Sequence, residues 1–227
     1  SRLATMVDDF PLATELALRA RSSAERLHDQ TAFADAETAL GNLARGTGDL
    51  DAAGAHYQTA LDRYRALDDR YNTGYILVQL GKLGDLGTPD NAGNPTDLAT
   101  AVQRSLEGLA IYRQLHNRWG IARATNQLSY LYYKSGRFLE AAQEAYEALW
   151  LYHESGNFSE GSQCVENLAD IAGATGQPLL AARLYGIAEA LQDRYGTPMW
   201  PFYRAEYEQE VDRVRALLTP AELQAAW

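Results

Sequence analysis

Histidine is the residue type in this chain that most often binds metals or moves protons in proteins. The four histidines are widely spaced, at His28, His56, His116 and His153. No two of them are four residues apart, and none has a second candidate ligand at a spacing that metal sites use. His153 precedes Glu154 but lacks the second histidine of a zinc-protease helix. The sequence therefore predicts no metal site, and no pattern in it indicates a cofactor.

Candidate nucleophiles and paired carboxylates are equally isolated. None of the candidate serines has the glycine pattern of a nucleophile elbow; they are Ser129, Ser135, Ser159 and Ser162. Cys164 is the single cysteine, and a buried structural thiol is favoured over a reactive one. The carboxylates of Asp8-Asp9 and Asp68-Asp69 are adjacent in sequence and diverge on a helix, which favours helix-end charges over a shared acid–base site. We therefore predict no catalytic residue and no enzymatic activity.

Composition limits the partners that this chain can have. The formal charge is −10, and no run of Lys or Arg offers the basic face that phosphate binding needs, so direct nucleic-acid binding is disfavoured. No apolar run approaches the ~20 residues of a membrane helix, and the first residues lack an apolar signal-peptide core. We expect a cytoplasmic protein that does not contact membranes. With 227 residues and 46% hydrophobic content, the chain is long enough to bury a core.

An internal repeat defines the elements that position these side chains. The tetrapeptide at 40–43, Leu-Gly-Asn-Leu, recurs in related form at 80–83, 128–131 and 168–171. Pairs of small residues seven apart form a second column: Ala13 and Ala20, Ala53 and Ala60, Ala101 and Gly108, Ala141 and Ala148, Ala181 and Ala188. Glycines follow the tetrapeptide at Gly48, Gly136 and Gly176, where a helix must turn. Each repeat of about 40 residues is thus predicted to hold two antiparallel helices, and a Gly/Pro/Asn/Asp-rich insertion at about 85–95 explains the one longer step.

The repeat resembles the tetratricopeptide family. The matching residues stand in the family's order at Leu40, Gly41, Gly48, Ala53, Tyr57 and Ala60. The period near 40 is similar to that of a longer-helix variety in large bacterial signal-transduction proteins, as are the junctions at 67–70 and 115–118. The resemblance implies an all-α fold, a right-handed α-α superhelix (TPR-like solenoid), over residues 1–195 with a partial first repeat. Tyr64, Tyr112 and Tyr152 share one column and are interpreted as core packing.

The last residues are predicted to cap this stack, because a solenoid must cover its open end. Apolar residues recur at three- and four-residue spacing on one otherwise polar helix, at Tyr203, Tyr207, Val211, Val214 and Leu218. Thr219, Pro220 and Glu222 form a start signal for a further helix. We assign 196–227 to C-terminal capping helices. Segments at 176–191, 196–198, 204–208 and 225–227 resemble the C-terminal region of LuxR-type and antibiotic-regulatory-type ATPases.

That resemblance implies a role within a larger regulator. The chain opens inside a helix of the repeat, so we expect it to be a piece of a longer protein. It contains neither a phosphate-binding loop nor a helix-turn-helix, and those activities would belong to other parts of the parent. The implied function is a non-catalytic module of a signalling or transcription regulator. Its partner would be a protein, a peptide or another domain of the parent chain.

In the tetratricopeptide family the first helix of each repeat lines the concave face. The resemblance carries this role to Asn42, Arg45, Lys82, Arg123, Asn126, Tyr130, Tyr133, Lys134, Glu166 and Asp170. The third repeat supplies the polar and aromatic centre, since four of these residues, from Arg123 to Tyr133, are spaced three, four and three apart on one helical face. Such a face could hold a peptide backbone or carboxylate. The alternative, that these are ordinary solvated residues, stays open for the third repeat and is favoured elsewhere.

Two other functions compete with binding through the concave face. The chain could instead be a self-association scaffold that forms homodimers through the ends of the stack or through surfaces around Trp119, Trp150 and Trp200. An enzyme would require a cluster of acids or histidines that the sequence does not show. Binding through the concave face is the preferred prediction.

Overall fold

The computed structural model describes residues 10–84, 98–195 and 201–227; of residues 84 and 201–203 it describes only the backbone. The described residues form helices and short turns without a strand, which confirms the predicted all-α fold. The predicted loop at 85–95 lies outside the described residues. The helices are α1 Phe10–Leu27, α2 Gln30–Thr47, α3 Leu50–Ala66, α4 Arg70–Gly84, α5 Leu98–Gln114, α6 Arg118–Lys134, α7 Phe138–Glu154, α8 Phe158–Ala174, α9 Pro178–Tyr195, α10 Pro201–Arg215 and α11 Pro220–Ala226.

The chain divides into two compact units, unit 1 at Ser1–Leu115 and unit 2 at His116–Trp227. In unit 1, α2 packs on α3 and α4 packs on α5, and in unit 2, α6 packs on α7 and α8 on α9. These pairs are the first and second helices of the predicted repeats. The predicted helix-pair repeat is therefore present in both units. Within the described residues, no helix is both long enough and apolar enough to span a membrane.

The turns between repeats use one backbone conformation in four copies. His28, Asp68 and His116 have φ values of 54°, 54° and 51°, and Gly156 occupies the same repeat position with φ 68°. Such left-handed residues close a helix, because the next amide can then donate back to the helix end, as Asp29 N does to Ala24 O at 2.9 Å. Asp and His tolerate this conformation better than most side chains. His28 and His116 therefore end the helices that precede them.

Polar side chains cap the following helices. The carboxylate of Asp69 accepts the backbone N–H of Asn72 at 3.0 Å, and Asp49 accepts that of Ala52 at 3.1 Å. The interpretation of Asp68-Asp69 as helix-end residues is thus confirmed, since one residue ends a helix and the other begins the next. Thr219 and Glu222 form the predicted capping box at the start of α11.

The repeat columns form the core. The small pairs of α3, α5, α7 and α9 are buried, and so are the tyrosines Tyr57, Tyr64, Tyr112, Tyr152 and Tyr185. Small residues let the two helices of a pair approach, and the tyrosine rings fill the space beside them. In α1 the buried residues are instead Ala17 and Ala24, while Ala13 is half-buried and Ala20 exposed. The column prediction therefore fails for that first pair.

Replacing Gly81 by alanine is expected to destabilise the protein by about 1–3 kcal/mol. A Cβ atom at Gly81 would lie 2.2 Å from Ser105 Oγ and 3.1 Å from the carbonyl oxygen of Ala101, so α4 and α5 would have to separate. The matched control is Gly54→Ala on α3, where the nearest atom, Leu83 Cδ1, is 3.9 Å away. Because alanine favours a helix interior, that control should be neutral or gain up to about 1 kcal/mol. Urea denaturation measures both changes, and equal stability of the two variants would contradict this packing.

Candidate functional site

The predicted site residues of unit 1 are held by their own repeat. Asn42 on α2 accepts the Tyr57 hydroxyl at 2.7 Å and the Gln79 side-chain amide at 3.1 Å. Its amide group therefore links α2, α3 and α4. Arg45 and Lys82 are half-buried on α2 and α4 of the same unit.

The same bond recurs in the last repeat of unit 2. The Tyr185 hydroxyl donates to Asp170, fifteen residues earlier in the chain, as Tyr57 does to Asn42. In the third repeat the corresponding tyrosine position is Ala145, which has no hydroxyl to donate. The residue that matches Asn42 and Asp170 there is Tyr130, and it takes a partner from a different helix. The second repeat also lacks this tyrosine, since Ser105 occupies the position.

That partner is α10. The Tyr130 hydroxyl lies 3.1 Å from both carboxylate oxygens of Glu206, and Lys134 Nζ lies 2.8 Å from one of them. Tyr133 and Asp170 lie near Glu210, one turn further along α10, since the Glu210 carboxylate adds to burial in raising the pKa of each. We call Tyr130, Tyr133, Lys134 and Asp170 the α10 seat.

Apolar contacts hold the other side of α10. Val211 and Val214 are buried in one cluster with Ala169 and Ala172 of α8 and with residues of α9. The Tyr207 ring lies edge-on to the Tyr185 ring, with 5.6 Å between their centroids, and the Tyr207 hydroxyl donates a hydrogen bond to Glu189. Val211 and Val214 of the predicted apolar stripe thus pack on α8 and α9, and the polar side of the same helix contacts Tyr130 and Lys134.

Two further predicted residues of unit 2, Arg123 and Asn126, lie nearer the start of α6. The guanidinium of Arg123 stacks on Trp119 with its carbon 4.5 Å from the ring centroid. Asn126 Oδ1 accepts the Asn167 side-chain amide at 2.9 Å, and Gln163 lies 3.5 Å from the Asn126 amide nitrogen. We call Asn126, Gln163 and Asn167 the amide row. It crosses from α6 to α8 on the face that also carries Arg123.

Two largely buried carboxyl groups in this region are weaker acids than carboxyl groups in water. Burial raises the pKa of Asp170 from its usual 3.8 to about 8, against the Tyr185 hydrogen bond, and the negative charge of Glu210 adds to the rise. Burial likewise raises the pKa of Glu166 to about 7, although Gln192 donates a hydrogen bond to it. Burial and nearby carboxylates raise the pKa of Tyr133 above its ordinary value. Both predicted acidic site residues are therefore protonated far more readily than solvated carboxylates.

The predicted residues thus form separate groups. Asn42, Arg45 and Lys82 belong to unit 1, and the other seven belong to unit 2. Four of these seven form the α10 seat, Arg123 and Asn126 lie at the amide row, and Glu166 accepts a hydrogen bond from Gln192 of α9. Gln163 was missed although it occupies the repeat column of Arg123, so extending that column would have found it. No sequence signal pointed to Glu206 and Glu210 as neighbours of α6. Across the described ranges, no group of three or more His, Cys, Asp and Glu side chains is placed to hold a metal ion.

Comparison with known proteins extends only to the fold. No family model matches the chain, and no curated protein matches it. Its structure is similar to the crystal structure of BtubC (BKLC) from P. vanneervenii, with a TM-score of 0.68 and 19% sequence identity over 96% of this chain and 87% of that one. At this identity the likeness supports a helical-repeat fold.

Proposed function

We propose that this chain is a non-catalytic module that binds a protein or peptide on the inner face of unit 2. The observation that carries the proposal is the amide row beside Arg123. Side-chain amides offer both donors and acceptors, which matches the alternating N–H and C=O groups of an extended peptide. Stacking on Trp119 orients the Arg123 guanidinium, and an oriented guanidinium favours bidentate binding of a carboxylate.

We further propose that the module serves a larger bacterial signalling or transcription regulator, as the TPR-like repeat and the LuxR-type C-terminal resemblance imply. The bound partner would then be another protein or another domain of the parent chain. The partner's binding would bias the parent between two states through its preference for one of them.

Self-association remains the second candidate, because one surface observation favours it. On α7, Leu139, Tyr146 and Trp150 are 72%, 66% and 54% exposed and recur at seven and four residues along one helical face. Two other tryptophans were predicted to support self-association. Trp119 is half-buried beneath Arg123, and Trp200 lies outside the described residues. An exposed apolar stripe of this kind is typical of contact surfaces.

We expect alanine at Arg123 or Asn126 to weaken peptide binding by about tenfold or more, since each removes hydrogen bonds to the peptide. A random peptide library is selected on the purified chain, and the enriched peptides are titrated by calorimetry against each variant. Arg183→Ala, on the exposed side of α9, is the matched control and should bind as the unaltered chain does. Undiminished binding by Arg123→Ala and Asn126→Ala would contradict the proposed face. Light scattering of the same samples at rising concentration tests the second candidate, which a constant monomer mass would exclude.

A further inference from the structure

The exposed face of α7 has the spacing through which two helices pack. Its residues recur at steps of four, three, four and three, and all five are exposed. They are Leu139, Gln143, Tyr146, Trp150 and His153, which we call the α7 stripe. Alternating steps of four and three are the a and d positions of a heptad, the positions that meet a partner helix in a coiled coil. The stripe therefore offers a seam to which another helix can pack.

The packing of the repeats does not require this stripe. The second helices α3, α5 and α9 have the same buried small-residue column as α7, so their outer faces show which residues the repeat needs there. At the positions of Tyr146 and Trp150 they carry no aromatic residue. Those positions hold Gln58, Leu106 and Gly186 for Tyr146, and Asp62, Ala110 and Ala190 for Trp150. The exposed rings are therefore particular to α7, and exposed aromatic residues of this kind are typical of contact surfaces.

Ring contacts order one end of the stripe. Trp150 stacks on His153, with 6.4 Å between the ring centroids, and His153 lies edge-on to Phe158 of α8, with 5.9 Å between the centroids. Phe158 in turn stacks on Tyr195 of α9, with 5.5 Å between the centroids. Because these rings already have defined positions, less side-chain freedom is lost when a partner binds.

One edge of the stripe is acidic. Glu140, Glu147 and Glu154 are seven residues apart, and each directly follows a d residue, so they occupy the e positions of the same heptad. Glu140 pairs with Arg137 at 2.9 Å and Glu154 with Arg118 at 3.5 Å, and each of these four side chains is at least 43% exposed. Ion pairs at such exposure contribute little and can be exchanged for another partner.

This charge distinguishes between the candidate occupants. Helix α7 contains four glutamates and no lysine or arginine. Two copies of the chain paired antiparallel through the stripe would place one e edge against the other, so glutamate would face glutamate. A parallel pair would place the glutamates against Ala142 and Leu149 at the g positions. A helix with lysine or arginine along its edge neutralises the glutamates, and its cations are also attracted to the faces of the Tyr146 and Trp150 rings.

We propose that the α7 stripe is the docking site for a basic amphipathic helix of another protein. The partner helix carries apolar residues at its a and d positions, and lysine or arginine at seven-residue spacing along the edge that meets Glu140, Glu147 and Glu154. The stripe shares no residue with the amide row. The inference therefore goes beyond the proposed function, and it assigns the stripe to a different chain instead of a second copy.

Three labelled helical peptides test the inference. Each is three heptads long, has leucine at every a and d position, and carries lysine, glutamine or glutamate at all its e and g positions. Each is titrated by fluorescence anisotropy into the full chain at low salt. The lysine peptide should bind about fivefold or more tightly than the glutamine peptide, and the glutamate peptide most weakly, because the first gains exposed ion pairs with the acidic edge and the last is repelled by it. Added salt should reduce the preference.

Variants of the chain locate the binding. Trp150→Ala should weaken binding of the lysine peptide by about tenfold or more, since it removes a central exposed ring. Glu140→Lys/Glu147→Lys/Glu154→Lys should reverse the preference in favour of the glutamate peptide. The matched control changes the net charge equally at exposed carboxylates outside α7 and should keep the preference for lysine; its substitutions are Glu25→Lys, Asp62→Lys and Glu208→Lys.

Equal binding of the lysine and glutamine peptides, or reversal of the preference by the control variant, would overturn the inference. So would a mass in light scattering that rises to that of a dimer and returns to that of a monomer with Trp150→Ala, because a second copy would then occupy the stripe. Library peptides that depend on Arg123 and Asn126 should bind the Trp150→Ala chain as they bind the unaltered one. The inference and the proposed function therefore fail separately.

Discussion

Replacing Tyr185 by alanine is expected to lower the free energy of unfolding by about 3–5 kcal/mol, the largest stability loss that we predict. The Tyr185 side chain is fully buried and joins three parts of unit 2. Its ring lies edge-on to that of Tyr207 of α10, with 5.6 Å between the ring centroids, and stacks on Trp227 with 6.2 Å between the centroids. Its hydroxyl donates a hydrogen bond to Asp170. Alanine would leave a cavity beneath both C-terminal helices.

Urea denaturation measures this loss. The matched control is Tyr146→Ala, because Tyr146 is 66% exposed on α7 and its removal should change stability by no more than about 0.5 kcal/mol. Tyr185→Phe separates the ring from the hydroxyl. It should cost about 1–3 kcal/mol, since Asp170 loses a buried donor while the ring contacts remain. A phenylalanine variant as stable as the unaltered chain would show that this hydrogen bond contributes nothing net.

Replacing Asp170 by asparagine is expected to remove the loss of stability that this residue causes as the pH rises from about 4 to 8. Asn42 occupies the same repeat position and accepts the same tyrosine bond, so asparagine fits this environment and keeps the acceptor. The variant should be about as stable as the unaltered chain below about pH 4 and more stable at about pH 8. Since Asp170 keeps some exposure to solvent, we expect a difference on the order of 2 kcal/mol.

The sign follows from the pKa of Asp170, which burial raises from 3.8 to about 8. Between these pH values the folded protein holds a proton that the unfolded chain releases, so stability is greatest below about pH 4 and is lost as the pH rises through about 8. Other ionisable groups lie near Asp170 and remain in both proteins; they are Glu166 of α8, Tyr185 and Glu189 of α9, Glu206, Glu210 and Arg213 of α10, and Tyr133 of α6.

Denaturation at a series of pH values provides the measurement. Glu166 remains in both proteins, so the informative quantity is the difference between the two stability profiles at each pH. Asp193→Asn on the exposed side of α9 is the control substitution and should follow the unaltered chain throughout. Parallel profiles for the Asp170→Asn protein and the unaltered chain would contradict a buried, readily protonated carboxyl at Asp170.

Much of the local structure was predictable from the sequence because it depends on neighbouring residues. Gly48, Gly136 and Gly176 do adopt the left-handed conformation at helix ends, with φ between 72° and 83°. The capping box at Thr219 formed as its spacing predicts. The residues within about one turn of a helix end decide where the helix stops, so a short sequence pattern is enough to predict the end. The buried tyrosine column was predictable for a related reason, because a repeat places the same side chain in the same environment each time.

Contacts between distant residues were not predictable in this way. The Glu206 carboxylate accepts a hydrogen bond from Tyr130, which is 76 residues earlier in the chain. No sequence pattern around either residue predicts this contact. The apolar spacing of the C-terminal stripe predicts which side of α10 is buried, but it says nothing about which residues the opposite, polar side contacts. The polar side decides which of the predicted site residues are covered.

The sequence by itself determined that the chain forms about 40-residue pairs of helices, where most of those helices end, and which small and aromatic residues face the core. These features follow from local backbone preference and from side-chain periodicity. Only the tertiary structure decided that Asn42 and Asp170 accept hydrogen bonds from core tyrosines, and that α10 rests on Tyr130 and Lys134. The reason is that Glu206 and Tyr130 are 76 residues apart, a separation over which local backbone preference and side-chain periodicity specify no contact.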